Sequence, residues 1–570
     1  MRYIDRERLS NYLTLFVLFL ELDVFVLILF ELSFAFSTIV YNLGFFLAVL
    51  FIFELVTQFA LNPEIAPYLA RYWFQYLCLA VIIYSYSRFR SVQPSNPLLF
   101  IYSKLFLGIV EVFLFANFIM HLGKLREIFS SFRVNPAQVI ILSFGSIILF
   151  GSFLIYLPYA RPAGASLRYI DALFTSTSAV CVTGLTVVDT GAAFSRVGQV
   201  FLLLLIQAGG LGIMTIAAFI QVSLGSDLSL YGRISTASIL DQGSLKNLYT
   251  LVRSIVLITF IVEATGVVSL YHHFSGRLPH KTEALFYSVF HAVSAFCNAG
   301  FSLYADNLVH ARGSIWVNFV FVSLIVIGGL GFTVIVNLFN RLTRGSSERI
   351  TVQTRMVVST TLFLIIFGAV FFYLFERSAI MKTYQPHVKF LASVFQSVTA
   401  RTAGFNTVDI GSLRSVTLLT LIILMFIGAS PGGTGGGIKT TTFFILVLSI
   451  ITILRDQRFN TIFKRRIPYA VVNRAFAILV TAAGLVIGAT LIMGFSEKFT
   501  VVQLLFETAS AFGTVGLSTG ITTSLSDFGK VVIILLMFVG RIGPLTLVLA
   551  VGTRPRTRLV TYPEERVMVG

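Results

Sequence analysis

One short motif occurs four times in this chain, and each copy ends in a glycine beside small or apolar residues. The copies read LFTSTSAVCVTGL from residue 173, VFHAVSAFCNAGF from 289, VFQSVTARTAGF from 394 and LFETASAFGTVGL from 505. Each copy lies between two apolar stretches of membrane-spanning length but is itself too short to cross a bilayer. Because an internal repeat decides the architecture, the chain is predicted to contain four copies of one helix, short helix, helix unit.

The composition places these units in a membrane. Of the 570 residues 56% are hydrophobic and only 12% are charged, and the mean hydropathy is +0.89. These values predict an all-α polytopic membrane protein. The formal net charge of +17 is assigned to cytoplasmic loops and lipid headgroups rather than to nucleic acid. Cys78, Cys181 and Cys297 lie in apolar segments without metal or disulfide spacing.

The repeats divide the chain into three parts. Residues 1–134 form an N-terminal transmembrane module, and residues 554–570 form a cytoplasmic tail. The repeats occupy about 135–224, 247–340, 355–454 and 474–553. The start, MRYIDRERLS, leads into an apolar run without a small-residue cleavage site, so we expect a retained first helix rather than a signal peptide.

Glycines interrupt the second long helix of every unit, beginning at Gly209, Gly328, Gly428 and Gly540. Close helix packing is the favoured interpretation of the first two breaks, QAGGLGI and VIGGLGF. The third break, GASPGGTGGGIKTTTF, holds more glycine than packing requires and predicts an irregular loop within the membrane. A phosphate-binding loop is disfavoured, because Ile438 separates the last glycine from the lysine.

The four short helices and their glycines predict a pore. A segment too short to span must enter and leave on one side, and irregular backbone survives at that depth only if it is buried in protein or lines water. Four such segments around one axis would direct four partly negative helix C-termini towards a common centre that suits a cation. Backbone carbonyls at that centre would replace the hydration shell of an alkali-metal ion.

The segments CVTGL, CNAGF, RTAGF and GTVGL, together with the glycine loop and GRIGPLTL from 540, resemble the Trk/Ktr/HKT superfamily of potassium transporters, most closely its KtrB branch. The resemblance covers about residues 135–553. It implies four pseudo-repeated helix/pore-loop/helix units around a central pore, and potassium uptake across the plasma (inner) membrane. The ion is bound at the filter, and no organic cofactor is expected in this chain.

The resemblance also implies which residues form the filter and the gate. The filter carbonyls would come from Val182, Thr183, Gly184, Asn298, Ala299, Gly300, Thr402, Ala403, Gly404, Thr514, Val515 and Gly516. Within the family a serine in place of the first glycine is associated with sodium passage, so glycine at all four positions favours potassium. The moving gate would comprise Gly432, Gly433, Thr434, Gly435, Gly436, Gly437 and Lys439. Arg541 would either tether this loop or act as an electrostatic barrier.

Several charged residues lie close to the predicted filter. Arg401 precedes Gly404 by three positions, and because a cation facing the ion would oppose conduction, we expect it to point behind the filter and pair with an acid such as Glu507. Asp189, Asp306 and Asp409 follow their glycines at similar offsets. They are interpreted as a ring at the outer mouth that concentrates cations, with helix capping and surface solubility as the alternative.

Basic residues set the predicted orientation and the predicted partners. The connections 341–355 and 455–474 and the tail are rich in arginine, which assigns them to the cytoplasmic face and the filter to the outside. The resemblance implies a homodimer and a cytoplasmic ring of nucleotide-binding RCK subunits on a separate chain.

The first 134 residues contain about four further apolar stretches, more than the resemblance accounts for. Glu31, Glu54 and Glu111 lie in or beside these stretches and are functional candidates. An accessory or regulatory role is expected, with packing or oligomer support as the alternative.

Three functions remain open from the sequence. Passive, potassium-selective transport leads. A sodium-permeable transporter is the alternative, and a membrane sensor or enzyme that reuses the scaffold is the third. An enzyme is disfavoured because the seven histidines are scattered and only His272 and His273 are adjacent.

Overall fold

The computed structural model describes residues 136–162, 164–212, 245–345 and 349–544. The predictions for 1–134, including the three glutamates, and for the tail lie outside the described residues. The chain divides into two units, one of residues 1–134 with 157–164 and one of residues 135–156 with 165–570. In the first unit Pro158–Ala160 form a 3₁₀ turn. All elements named below belong to the second.

The second unit contains four successive sets of three helices. Each set has a first helix, a short helix and a closing helix. The first two sets are α1 (Pro136–Tyr156), α2 (Tyr169–Val180) and α3 (Arg196–Leu211), then α4 (Leu245–Phe274), α5 (Lys281–Phe296), α6 (Ile315–Leu330) and a continuation, α7 (Phe332–Arg344). The last two are α8 (Val352–Glu376), α9 (Pro386–Thr399), α10 (Ser415–Phe426) and a continuation, α11 (Thr440–Leu454), then α12 (Tyr469–Ser496), α13 (Val501–Gly513) and α14 (Asp527–Ile542).

Several of these helices are long and apolar enough to cross a membrane. Within the described residues they are α4 from Arg253, α8 and α12. A fourth span is possible if α6 and α7 count as one, although the two are bent by 103° at Gly331. The molecule is therefore a predominantly helical, multi-pass membrane protein, as the composition predicts.

Local sequence signals place the ends of the closing helices. Three of them begin after a serine that caps the helix: Ser195 accepts from the N–H of Gly198, Ser314 from Val317 and Ser526 from Gly529. The same three helices end at Gly212, Gly331 and Gly543, where φ lies between 76° and 93°. Only glycine adopts these conformations at low cost, so the glycine breaks stop the helices.

The helices pack in a cyclic order. The closing helix of each set contacts the short helix of the next: α3 packs on α5, α6 on α9, α10 on α13, and α14 on α2 of the first set. One phenylalanine of each short helix is almost completely buried between these elements: Phe174, Phe290, Phe395 and Phe506. Each short helix therefore packs between the longer helices of its own and the preceding set.

A small hairpin joins α11 to α12. Thr461–Ile462 pair antiparallel with Arg465–Arg466. Phe463 and Lys464 between the strands both have positive φ, the geometry of a two-residue turn whose twist matches the strands.

Candidate functional site

The four predicted filter segments meet in a closed ring. We call residues 182–184, 298–300, 402–404 and 514–516 the glycine segments. A Cβ added to Gly184 would lie 2.4 Å from the carbonyl oxygen of Ala299, and one on Gly300 would lie 2.8 Å from that of Ala403. A Cβ on Gly404 would lie 2.5 Å from the carbonyl oxygen of Val515, and one on Gly516 would lie 2.2 Å from that of Thr183. Each glycine thus faces a backbone oxygen of the following segment, and the fourth faces the first.

The backbone of the glycine segments follows neither a helix nor a strand. Positive φ values occur at each central glycine and again two residues earlier, at Val182, Asn298, Thr402 and Thr514. Residues between these two positions donate their N–H groups back to the short helices: Thr183 to Ser178, Ala299 to Ser294, Ala403 to Thr399 and Val515 to Ser510. Since the C=O and N–H of a trans peptide point in opposite directions, the preceding carbonyls point away from the short helices.

The glycine breaks of the closing helices receive the C-terminal ends of the short helices. A Cβ on Gly209, Gly328 or Gly540 would lie 2.1, 1.9 or 2.0 Å from the carbonyl oxygen of Val180, Phe296 or Phe512. These contacts are the close packing expected for the first two breaks. The third break differs, because Gly428 lies against Gly436 of its own loop.

Residues 428–439, which we call the glycine loop, lie against one end of the ring. The side-chain amide of Asn298 and the hydroxyl of Thr434 are 3.1 Å apart, and the N–H of Gly436 donates to the Thr514 hydroxyl at 2.8 Å. A Cβ on Gly435 would lie 2.1 Å from the hydroxyl oxygen of Thr402. The loop therefore contacts three of the four residues that begin the glycine segments.

Hydrogen bonds to neighbouring breaks hold the glycine loop. Its N–H groups at Ser430 and Thr434 donate to the carbonyls of Gly329 and Gly328, and the N–H of Phe332 donates to Gly432. At its base, the N–H of Gly428 donates to Ile438 at 2.9 Å. The loop is thus attached to the start of α7 as well as to the ring.

Both predicted cations of the gate bind loop carbonyls. Lys439 Nζ donates to the carbonyl of Gly435 at 2.7 Å. Arg541 donates to the carbonyl of Thr434 and, through its other terminal nitrogen, to that of Gly209 at the end of α3. Of the two roles considered for Arg541, the tether is the one that these contacts support.

Two buried polar side chains support the second and fourth glycine segments. The sequence analysis did not identify their equivalent positions. His291 and Glu507 each lie nine residues before their central glycines. His291 Nε2 lies 3.1 Å from the hydroxyl of Ser302, and the Glu507 carboxylate accepts from the hydroxyl of Ser518, in each case two residues past the glycine. Both side chains are fully buried. In the sequence, each of the two residues directly follows the buried phenylalanine of its motif, and this shared position is the signal that could have identified them.

The expected pair of Arg401 and Glu507 does not form. Glu507 accepts hydrogen bonds from Ser518, from the N–H of Thr519 and from the hydroxyl of Thr522. All three donors lie between residues 518 and 522, just after its own glycine segment. Within the described ranges Arg401 pairs with no acidic side chain. Cys181 and Cys297, which share its offset in the first two segments, are buried free thiols as expected.

The three predicted mouth aspartates are exposed and act as caps. Asp189 accepts from the N–H groups of Gly191 and Ala192, and Asp409 accepts from Gly411. Asp306 accepts from the N–H of His310 and contacts its ring at 3.0 Å. The capping alternative therefore describes these contacts, and exposure leaves the carboxylates accessible to cations.

Ion pairs join the first and last sets of helices. Lys530 of α14 lies 2.7 Å from Asp171 of α2, and both side chains are almost fully buried. Arg168 contacts Asp171 and the exposed Asp527. The sequence analysis did not predict the ion pair of Lys530 and Asp171, because 359 positions separate the two residues.

The ring offers oxygen ligands and little other chemistry. Backbone carbonyls are hard donors that suit alkali-metal ions rather than transition metals. Among residues that the structure describes, no group of three or more His, Cys, Asp or Glu side chains could hold a metal ion.

Comparisons with known proteins agree with this geometry. The profile of the TrkH family, described as cation transport protein, matches residues 133–562. The chain is 39% identical over 435 residues to Ktr system potassium uptake protein B of Vibrio alginolyticus, covering 76% of this chain and 94% of that one. The protein of the same name from Bacillus subtilis is 39% identical over 443 residues, covering 77% and 97%.

A solved structure shows the same fold. The potassium transporter TrkH from Vibrio parahaemolyticus superposes with a TM-score of 0.60 at 19% identity, covering 78% of this chain and 91% of that one. Taken with the family profile and the two relatives, this places the chain in the TrkH family of cation transport proteins, as a transporter and not an enzyme.

Proposed function

We propose that this protein mediates potassium uptake across the plasma membrane, passively and through one pore per chain. The four sets of helices surround the pore, and the glycine segments at 182–184, 298–300, 402–404 and 514–516 form its filter. The closed ring of the four glycine segments carries the proposal, since backbone carbonyls directed into such a ring would replace the hydration shell of a potassium ion. The names of the two Ktr relatives support potassium as the substrate.

The glycine loop is the gate in this proposal. It lies across one end of the filter and contacts Asn298, Thr402 and Thr514. The loop is built largely of glycine, so it can hinge at low steric cost once Arg541 releases the carbonyl of Thr434. In this proposal the loop position described above closes the pore, and conduction requires the loop to move aside.

The exposed aspartates at positions 189, 306 and 409 would surround the outer mouth and raise the local cation concentration. The basic connections would then face the cytoplasm and receive the RCK ring, with the chain acting as a homodimer. Support comes from the relatives' names, which make each a component of a Ktr system. We assign residues 135–553 to the conducting domain and 1–134 to an accessory module.

Ion flux into proteoliposomes tests the proposal. Purified protein is compared in potassium and in sodium gradients, as the intact chain, as Gly184→Ser and as Gly520→Ser. A side chain introduced at position 184 would point at the carbonyl oxygen of Ala299. Gly520 has a similar φ, but a side chain there would meet open space. We expect potassium-selective flux in the intact chain and in Gly520→Ser, and loss of selectivity in Gly184→Ser.

If the intact chain carries no ion, Arg541→Met distinguishes a closed gate from the absence of a pore, because this variant removes the contact between Arg541 and the glycine loop. Flux that appears only in this variant would support both filter and gate. Equal sodium and potassium flux in the intact chain would favour the sodium-permeable alternative. Folded protein that carries neither ion, with or without the tether, would refute the proposal.

A further inference from the structure

Arg401 is a buried cation whose charge is not balanced by the described part of the chain. Only 8% of the residue is exposed, and its Nε is buried without a hydrogen-bond partner. No carboxylate of the described ranges forms an ion pair with it. Arginine stays protonated in proteins, and an uncompensated buried charge is strongly destabilising. Some group absent from this chain's described side chains must therefore meet the guanidinium.

A small cavity lies at the Arg401 side chain. It offers about 20 Å³ to the centre of a water molecule, which exceeds the roughly 10–15 Å³ needed to hold one water-sized particle. Its walls come from α6 of the second set and from α8, α9 and the glycine loop of the third: Ile325, Val326, Gly329, Thr361, Ile365, Val398 and Ala429. Thr361 is 7% exposed, and its hydroxyl is also buried without a partner. Two unpartnered donors thus line one cavity with otherwise apolar walls.

We propose that this cavity is a binding site for a single small inorganic anion of the size of chloride. The anion accepts hydrogen bonds from the Arg401 guanidinium and the Thr361 hydroxyl, and its charge cancels that of the guanidinium. A water molecule would satisfy the hydrogen bonds but would leave the charge in place, so the electrostatic cost favours the anion.

The position of the site links it to the ring and to the glycine loop. Arg401 precedes Gly404 by three residues, so neutralising it removes a repulsive charge from behind the third glycine segment. Ala429 belongs to the glycine loop, and Gly329 donates its carbonyl to the loop at Ser430. Movement of the loop would open one wall of the cavity, so the bound anion stabilises the loop position seen here.

The anion is detected by its effect on thermal stability, without a transport measurement. The full chain in detergent is unfolded in potassium chloride and in potassium gluconate at equal potassium concentration, because gluconate is too large for the cavity. We expect the Tm to rise with chloride concentration and then to level off. At a chloride concentration ten times the Kd, the rise should be roughly 2 °C or more. Thr361→Val removes one donor to the anion and should raise the chloride concentration needed by about tenfold.

Thr360→Val is the matched control. Thr360 is the adjacent residue, 5% exposed and equally unpartnered, but it does not line the cavity. Its variant should keep the chloride response, whereas Arg401→Met should lose it. Bromide diffused into crystals should give an anomalous peak between Arg401 and Thr361, which tests the site even if Arg401→Met fails to fold.

A Tm that is the same in both salts, with no bromide peak, would mean that water alone fills the cavity and would overturn the proposal. A chloride response that persists in Arg401→Met would place the anion elsewhere, for example on the basic connections, and would overturn it equally.

Discussion

The ring makes a quantitative prediction for alanine at its glycines. Gly184 has φ +88°, and a Cβ there would lie 2.4 Å from the carbonyl oxygen of Ala299. Gly520 has φ +93°, but a Cβ there would meet no atom within 4 Å. The two substitutions impose nearly the same backbone strain, and only Gly184→Ala adds a collision with the neighbouring segment.

The magnitudes follow from these two terms. A left-handed conformation costs a residue with a Cβ about 1–2 kcal/mol, and this is the whole cost expected for Gly520→Ala. For Gly184→Ala the segments must separate by about 1 Å to reach an ordinary contact of 3.4 Å. Such overpacking adds about 1–3 kcal/mol, giving a total of about 2–5 kcal/mol. A displaced carbonyl that weakens ion binding by about 1.4 kcal/mol lowers the affinity for the ion tenfold.

Thermal unfolding and potassium flux measure the two consequences separately. Gly520→Ala should lower the Tm slightly and leave flux intact, whereas Gly184→Ala should lower both. The other ring glycines should follow the distances, with Gly516→Ala at 2.2 Å the most severe and Gly300→Ala at 2.8 Å the mildest. Equal effects of Gly184→Ala and Gly520→Ala on flux would refute the reasoning, because strain alone would then explain the loss.

Two further predictions concern buried charges. Asp171→Asn leaves Lys530 buried without a carboxylate and should destabilise the protein by about 3–5 kcal/mol, while the exposed Asp527→Asn should cost below about 1 kcal/mol. Thermal unfolding compares them, and equal shifts would contradict a buried ion pair. Glu507→Ala and Glu376→Ala both remove fully buried acids, but only Glu507 braces a glycine segment. Competitive flux should show reduced potassium preference in Glu507→Ala alone, and unchanged preference there would limit Glu507 to a scaffold role.

The repeated features of the site were predictable from sequence because local backbone chemistry repeats with them. Each motif carries a glycine where the ring brings two backbones together, and three of the four closing helices carry one where a short helix ends. The predicted membrane setting and transporter family are confirmed, and so is the predicted burial of Cys181 and Cys297.

Contacts between different sets were not predictable, because nothing local encodes them. Arg401 and Glu507 have opposite charges and lie in neighbouring motifs, yet the Glu507 carboxylate accepts from three donors in the segment that follows its own glycine. Asp171 meets Lys530 only because the fourth set packs against the first. A charge in the sequence reports the need for a partner but not which element supplies it.

The contacts of the glycine loop imply that the proposed gate and the proposed filter would not act independently. Opening must break the bonds of Thr434 to Asn298, of Gly436 to Thr514 and of Arg541 to the loop. At about 0.5–1.5 kcal/mol for each neutral bond and 1.5–3 for the charged one, the closed state gains about 2.5–6 kcal/mol. Moving a two-state equilibrium from 1:99 to 99:1 takes about 5.5 kcal/mol of differential binding. A regulatory partner that binds the open form can supply that amount. Two of the three bonds involve a residue at the start of a glycine segment, Asn298 and Thr514, so opening would change the proposed filter as well.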